Sequence, residues 1–144
     1  MEEPKQIKIV LIDDQAIVRA AFKALLNGVD RFEVVGDAGD AREGVELVAQ
    51  LRPDVVILDI TMVGMSGLDA VAPVKKASPT TRVLMASQHE GMKFVQQALQ
   101  SGADGYLSKD SEPEELSLAI DSICLLYTSP SPRDLSTSRM PSSA

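Results

Sequence analysis

The chain has 144 residues, of which 44% are apolar and 24% are charged, a composition typical of one globular domain rather than two. No apolar run approaches the roughly 20 residues that span a bilayer, and the acidic N-terminus, Met1 to Pro4, does not resemble a secretory signal. Cys124 is the single cysteine, which excludes an internal disulfide and a cysteine-rich metal site. We therefore expect a cytoplasmic protein with no membrane contact.

The net charge of −7 comes from 14 basic and 21 acidic residues. Residues 127–144 contribute two arginines and one aspartate, so the preceding 126 residues carry a net charge of −8. Binding to nucleic acid requires clustered lysine and arginine that neutralise phosphates. The charge therefore argues against direct binding of nucleic acid by this chain.

The first half of the chain alternates between two apolar patterns. Strands are expected at Ile7–Ile12, Phe32–Val35 and Val55–Leu58, and the third, which has no polar residue, is typical of a parallel strand covered on both faces. The first helix is expected from Gln15 to Asn27, ending at Gly28, and helical spacing predicts that it buries Ile17, Ala20, Ala21, Ala24 and Leu25. The second helix, capped by Asp40, is expected to bury Ala41, Gly44, Val45, Val48 and Ala49.

The second half continues the alternation. A third helix is expected from Leu68 to Ala77, shortened or kinked by Pro73. Strands follow at Arg82–Ala86 and Asp104–Leu107. The helix between them, residues 91–101, ends at Gly102 and is expected to bury Phe94, Val95, Ala98 and Leu99. Pro113 opens the fifth helix, which is expected to bury Leu116, Ala119, Ile120, Ile123 and Cys124.

Five strand–helix units predict an α/β protein: a single doubly wound (βα)5 domain over residues 1–126, with a five-stranded parallel sheet of order 2-1-3-4-5. From Tyr127 the sequence reads YTSPSPRDLSTSRMPSSA, which lacks any helical or strand period and is expected to be disordered. The abrupt change suggests a truncation followed by out-of-frame or vector-encoded residues. A natural tail, ordered by a partner or not, is the alternative.

Polar residues follow the predicted strands. Asp13 and Asp14 follow the first, Asp59 the third, Ser87 the fourth and Lys109 the fifth. The carboxyl ends of parallel strands share one edge of the sheet, so these side chains are expected to meet there. Taken singly, each has a simpler explanation, such as a helix cap for Asp14 or a surface position for Lys109. It is their joint placement at the ends of four of the five strands that indicates a functional site.

Three crowded carboxylates repel one another, and a divalent cation removes that cost. Mg²⁺ prefers carboxylate and carbonyl oxygens, so we expect Asp59, with Asp13 or Asp14 and the carbonyl of Thr61, to bind it. Screened by the metal, Asp59 could attack a phosphoryl group. Lys109 would supply a positive charge and Ser87 a hydroxyl donor to the phosphoryl oxygens.

Four segments resemble the receiver domain of two-component response regulators: IKIVLIDDQAIVR, PDVVILDITMVGMSGLDA, RVLMASQHE and ALQSGADGYLSKD. The last resembles the NarL/FixJ (LuxR-type) branch. The resemblance covers residues 6 to about 124 and implies a flavodoxin-like, CheY-like fold. It implies that Asp59 is the phosphoacceptor, that Asp13, Asp14, Asp59 and the Thr61 carbonyl hold Mg²⁺, that Lys109 pairs with the phosphate, and that Ser87 and Tyr106 form the switch.

The same resemblance implies a sensor histidine kinase as partner, possible homodimerisation on phosphorylation, and control of transcription. Such proteins are not enzymes beyond catalysing their own phosphorylation and dephosphorylation. Members of this branch usually carry a C-terminal helix-turn-helix domain, and none is recognised here, so we expect a chain truncated before it. Thr61 and His89 lie where similar proteins tune loss of the phosphoryl group, although His89 could be a solvated loop residue and Tyr106 ordinary packing.

The sequence departs from the family at three places. Val63 stands where proline is frequent, Asp110 where many receivers have a proline after the lysine, and the bulky Gln88 where a small residue is common. None of these removes a predicted site residue. Two other functions stay open: a receiver-like interaction module that works without phosphorylation, and a metal-dependent phosphohydrolase, for which the chain lacks room for a cap or substrate pocket.

Overall fold

The computed structural model describes residues 6–62, 64–87 and 92–128, without the side chains of 92–94 and 125–128. Several predictions lie outside the described residues: those on Val63, Gln88 and His89, on the inward side chain of Phe94, and on the tail after residue 128.

Strands and helices alternate through the described part of the chain as predicted. The strands are β1 (Ile7–Ile12), β2 (Phe32–Ala38), β3 (Val55–Asp59), β4 (Arg82–Ser87) and β5 (Gly105–Ser108). The helices are α1 (Ala16–Asn27), α2 (Ala41–Leu51), α3 (Gly67–Ala77), α4 (Met92–Gln100) and α5 (Pro113–Thr128). The last helix extends two residues past the predicted domain end at 126.

The five strands form one parallel sheet in the order β2-β1-β3-β4-β5, which confirms the predicted α/β class and topology. Consecutive strands in space are in close register at their carboxyl ends: Ile12 pairs with Leu58, Asp59 with Ala86, and Ser87 with Ser108. The residues that follow β1, β3, β4 and β5 therefore lie along one edge of the sheet.

The core has two layers, one on each face of the sheet. Val56 and Leu58 of β3 pack under α2, α3 and α4, whereas Val55 and Ile57 pack under α1 and α5. All five residues of β3 are buried. The strand is therefore covered on both faces, as its uninterrupted apolar run predicted.

The predicted buried stripe of α1 is wrong. Ile17 is 80% exposed and Leu25 42% exposed, and the three alanines of the stripe are exposed as well. The helix packs instead through Phe22 and Leu26, which join the second core layer. Helix α1 carries two apolar stripes, and the one with the larger side chains is buried because it removes more apolar area from water.

The other helix predictions are largely confirmed. Asp40 caps α2, accepting a hydrogen bond from the Glu43 amide at 2.8 Å, and the α5 stripe is buried or half-buried. Ala49 and Leu99 are exposed, contrary to prediction. Pro73 does not shorten α3, whose Ser66 cap and 11-residue span are intact. Gly102 ends α4 with a φ of 105°, a conformation that glycine adopts without strain.

Candidate functional site

Three aspartates meet at the carboxyl edge of the sheet. Asp59 is the last residue of β3, and Asp13 and Asp14 follow β1. One carboxylate oxygen from each lies within 4.8 Å of the others. Asp13 and Asp59 are each 4% exposed, whereas Asp14 is exposed. Two buried acids and one accessible acid therefore face one another, as the sequence predicted.

Lys109 follows the edge strand β5 and completes the cluster. Its Nζ lies 2.7 Å from Asp13 Oδ2 and 3.1 Å from Asp59 Oδ1, and its side chain is only 8% exposed. The Lys109 amide donates to the carbonyl of Ser87 at 2.8 Å, which ties the loop after β5 to the end of β4. The lysine reaches the acids because β3, β4 and β5 are consecutive in the sheet.

Ser87 and Thr61 also lie at this edge. Ser87 is fully buried at the last position of β4, one residue past the one that pairs with Asp59. The Thr61 amide donates to Asp59 Oδ1 at 3.3 Å, which places the loop after β3 beside the acid. The roles predicted for the Ser87 hydroxyl and the Thr61 carbonyl stay predictions.

Tyr106 is half-buried in β5. It pairs in register with Met85 of β4 and packs against the core layer under α2, α3 and α4. This position fits ordinary packing and the predicted switch equally well, so its switch role stays a prediction.

Burial and repulsion shape the charges of the site. Burial raises the pKa of Asp59, and the Asp13 carboxylate raises it further, while Lys109 opposes both effects. Burial lowers the pKa of Lys109, but its hydrogen bond to Asp13 and the charge of Asp59 outweigh this and the pKa is raised overall. Lys109 is therefore an ammonium group at neutral pH, and it alone cannot balance three carboxylates. That charge deficit and an all-oxygen donor set fit Mg²⁺.

Asp14 does not cap α1, contrary to one alternative from the sequence. The N-cap residue is Gln15, whose side chain makes no capping bond, and the Gln15 amide donates to Asp13 Oδ1 at 2.8 Å. In the part of the chain that the structure describes, the Asp14 carboxylate accepts no hydrogen bond. It is consequently available to a ligand.

The start of α3 packs against the backbone at Asp59 and Ile60, a contact that the sequence did not reveal. The Ile60 carbonyl accepts hydrogen bonds from the Gly67 amide at 2.8 Å and from the Ser66 hydroxyl at 3.2 Å. A Cβ added to Gly67 would lie 1.9 Å from the main-chain oxygen of Asp59. The spacing of residues in a sequence carries no signal for such a close approach between backbones.

A second missed feature is a charged network beside Asp13. Arg19 Nε lies 2.7 Å from Asp37 Oδ2, and Lys23 Nζ lies 2.9 Å from Asp37 Oδ1. Arg19 Nη1 donates to the main-chain carbonyl of Asp13 at 2.6 Å. The partners of Asp37 were not predicted from the sequence.

We expect the Asp37→Asn variant to lose a pH-dependent part of its stability. The hydrogen bond from Lys23 lowers the pKa of Asp37 below its ordinary value of 3.8, and the Arg19 bond adds to the effect while partial burial opposes it. A lowered carboxylate pKa stabilises the fold above the unfolded-state pKa, and this is lost as pH falls through the folded-state pKa. Urea unfolding should show a deficit of roughly 1 kcal/mol at pH 7 that is smaller at pH 3, below the ordinary pKa of the group. A deficit that is the same at both pH values would contradict this account.

The fold and the edge cluster define a doubly wound α/β domain whose parallel sheet has an acid on its central strand, an acid pair beside it and a lysine opposite. Comparison with known families agrees. Residues 9–121 match the response regulator receiver domain, and the chain belongs to that family.

Individual relatives place the chain in the LuxR/NarL-type branch. It is 38% identical over 120 residues to the nitrate/nitrite response regulator protein NarL of Escherichia coli K12, covering 83% of this chain and 56% of that protein. It is 37% identical over 123 residues to the transcriptional regulatory protein MctR of Rhizobium johnstonii, covering 85% and 58%. The chain thus spans little more than half the length of these curated relatives.

A solved structure shows the same fold. The signal receiver domain of the putative response regulator NarL from Mycobacterium tuberculosis superposes with a TM-score of 0.80 at 36% identity, covering 85% of this chain and 98% of that one. Among the residues that the structure describes, no helix is both long and apolar enough to cross a membrane.

Proposed function

We propose that this chain is a phosphorylation-controlled receiver that accepts a phosphoryl group from a sensor histidine kinase on Asp59 in a Mg²⁺-dependent reaction. Receiver domains in general bind Mg²⁺ at an acidic pocket and interact with histidine kinases. The observation that supports the proposal most is the cluster of Asp13, Asp14 and Asp59, with Lys109 in contact with two of the three.

In the proposed reaction each residue has a distinct role. A carboxylate oxygen of Asp59 attacks the phosphorus atom, and the bond between phosphorus and the donor's leaving atom breaks. When bound, Mg²⁺ would neutralise charge on the carboxylates and the phosphoryl oxygens; Asp13, Asp14, Asp59 and the Thr61 carbonyl would hold it. Lys109 would exchange its contact with Asp59 for a phosphoryl oxygen. The Ser87 hydroxyl would donate to another.

The output of the proposed switch is control of transcription. Phosphorylation would shift a two-state equilibrium that involves Ser87, Tyr106 and the surface of α4 and α5. One relative, MctR, is named a transcriptional regulatory protein. We infer that a helix-turn-helix domain, together with homodimerisation on phosphorylation, would provide the output. The acidic receiver itself would not bind nucleic acid, and the protein would act in the cytoplasm. Receiver domains are signalling modules rather than classical enzymes; self-catalysed phosphorylation and dephosphorylation belong to the proposal.

Labelling by a small phosphoryl donor tests the proposal. With acetyl phosphate and Mg²⁺, intact-mass spectrometry should show one added phosphoryl group on the wild type and none on the Asp59→Asn variant. Asp54→Asn is the matched control, because Asp54 Oδ2 accepts from the Lys8 amide at 2.8 Å near the opposite ends of the strands; it should be labelled normally. Equal labelling of the wild type and the Asp59→Asn variant would refute the proposed phosphoacceptor.

The second candidate is a receiver-like interaction module that works without phosphorylation. It predicts that the protein takes up no phosphoryl group and that Mg²⁺ leaves its amide NMR spectrum unchanged. The intact cluster and the ion pairs of Lys109 favour the phosphorylated receiver over this alternative.

A further inference from the structure

Asp13 is held by four contacts in the described part of the chain. Its amide donates to the Ala38 carbonyl at 3.1 Å, and its carboxylate accepts from the Gln15 amide at 2.8 Å and pairs with Lys109 at 2.7 Å. The fourth contact is from Arg19 Nη1 to the Asp13 main-chain carbonyl at 2.6 Å. This is the contact that fixes the peptide between Asp13 and Asp14.

That peptide determines where Asp14 lies. Asp14 is exposed, and its side chain accepts no hydrogen bond within the described residues. Its position therefore depends on the backbone that leads to it. Arg19 holds the carbonyl of that peptide and touches none of the three carboxylates in the contacts described.

The Arg19 guanidinium is itself held by two contacts. Its Nε pairs with Asp37 at 2.7 Å while Nη1 reaches Asp13, so two edges of one planar guanidinium make two directed bonds. Lys23 holds the other oxygen of Asp37 at 2.9 Å. The Arg19 side chain is only 20% exposed. A lysine has the same charge but cannot make this fork.

We propose that Arg19 is a positioning residue for the divalent-cation site: it clamps the Asp13–Asp14 peptide to Asp37 and so keeps Asp14 in reach of the ion. The inference rests on the proposed function for the presence of the ion. It adds that a cation outside the acidic cluster determines the geometry of the cluster.

The charge of Arg19 and its proposed positioning role predict opposite changes in Mg²⁺ affinity when Arg19 is replaced, which makes the inference testable. A nearby cation repels Mg²⁺, so removal of the Arg19 charge alone should tighten Mg²⁺ binding. Loss of a clamp should weaken it instead. Changes to residues that orient metal ligands typically weaken metal affinity by 10- to 100-fold, and at an exposed ligand such as Asp14 we expect a weakening of about tenfold.

The experiment measures Mg²⁺ affinity by amide NMR titration for the wild type, Arg19→Gln and Arg19→Lys. Both variants should bind Mg²⁺ about tenfold more weakly. In the metal-free proteins, the order parameter of the Asp14 amide should fall in both. Arg31→Gln is the matched control. It removes two arginine hydrogen bonds to Asp121, from Nε to Oδ1 at 3.1 Å and from Nη2 to Oδ2 at 2.6 Å. Arg31 lies beside the start of β1, where its carbonyl accepts from the Ile7 amide. This variant should bind Mg²⁺ like the wild type.

Several results would overturn the inference. These are unchanged or tighter Mg²⁺ binding by Arg19→Gln, wild-type behaviour of Arg19→Lys, and an unchanged Asp14 order parameter in both. If Arg19→Gln does not fold, the Arg19→Lys comparison decides. Normal Mg²⁺ binding by the wild type without acetyl phosphate labelling would overturn the proposed phosphoacceptor function but leave the clamp intact. No Mg²⁺ binding by the wild type would overturn both.

Discussion

The Gly67→Ala variant is expected to lose at least about 3 kcal/mol of folding free energy, at the upper end for a single substitution. The added Cβ would lie 1.9 Å from Asp59 O, 2.7 Å from Asp59 C and 2.9 Å from Ile60 Cα. All three are backbone atoms, so no side-chain rotation can relieve the clash. Either α3 moves off the end of β3, or the peptide that bears Asp59 moves.

Urea unfolding at pH 7 measures this effect, and two other glycines are controls. At Gly28 an added Cβ would find its nearest neighbour at 3.5 Å, and the φ of −77° suits any residue, so Gly28→Ala should be neutral or stabilising by up to about 1 kcal/mol. At Gly64 nothing lies within 4 Å but φ is 88°, so Gly64→Ala should cost only backbone strain of about 1–2 kcal/mol. If Gly67→Ala unfolds like Gly28→Ala, the described contact between α3 and β3 is wrong.

The second large effect concerns Asp59, where loss of the carboxylate is expected to stabilise the metal-free protein. Without Mg²⁺, the Asp59→Asn variant should be more stable than the wild type at pH 7, on the order of 1 kcal/mol. Burial and the neighbouring Asp13 raise the pKa of Asp59, so ionisation costs the folded state free energy. This penalty is absent below the unfolded-state pKa, grows as pH rises from the unfolded-state to the folded-state pKa, and is constant above it.

Mg²⁺ should remove the stability advantage of the Asp59→Asn variant over the wild type. The ion stabilises a protein more, the more tightly it binds the folded state, and the wild type keeps all three carboxylates. Thermal unfolding with and without Mg²⁺ should show a larger gain for the wild type than for Asp59→Asn. Asp14→Asn is the comparison variant, because Asp14 is exposed: it should change metal-free stability little and still reduce the gain. Equal gains in all three proteins would exclude the acidic cluster as the site of the ion.

Most of the fold was predictable because β3 and its neighbours have unambiguous patterns. An apolar run such as Val55–Leu58 requires cover on both faces, and five such units leave few topologies open. Helix α1 was mispredicted because periodicity identifies amphipathic faces but does not rank them. Both Ile17 and Phe22 lie on apolar stripes, and only the tertiary packing determines which one enters the core.

The site was predictable to the same extent and for a related reason. Strand ends place Asp13, Asp59 and Lys109 at one edge once the order of strands is known. The Arg19 clamp and the contact of Gly67 with Asp59 were not predictable, because both depend on how a helix start is seated on the sheet. Sequence spacing indicates which residues share an edge of the sheet, but it does not give the distance between two backbones in contact.

The most direct measurement of the central claim is an amide NMR titration with Mg²⁺ and beryllofluoride, a mimic of the phosphoryl group. If Asp59 is the phosphoacceptor, the wild type should show large shifts at Asp59, Thr61, Ser87 and Lys109 beyond those that Mg²⁺ alone causes, and only when both components are present. The Asp59→Asn variant should show none of these additional shifts. The same additional shifts in the Asp59→Asn variant, or their absence in the wild type, would contradict the account.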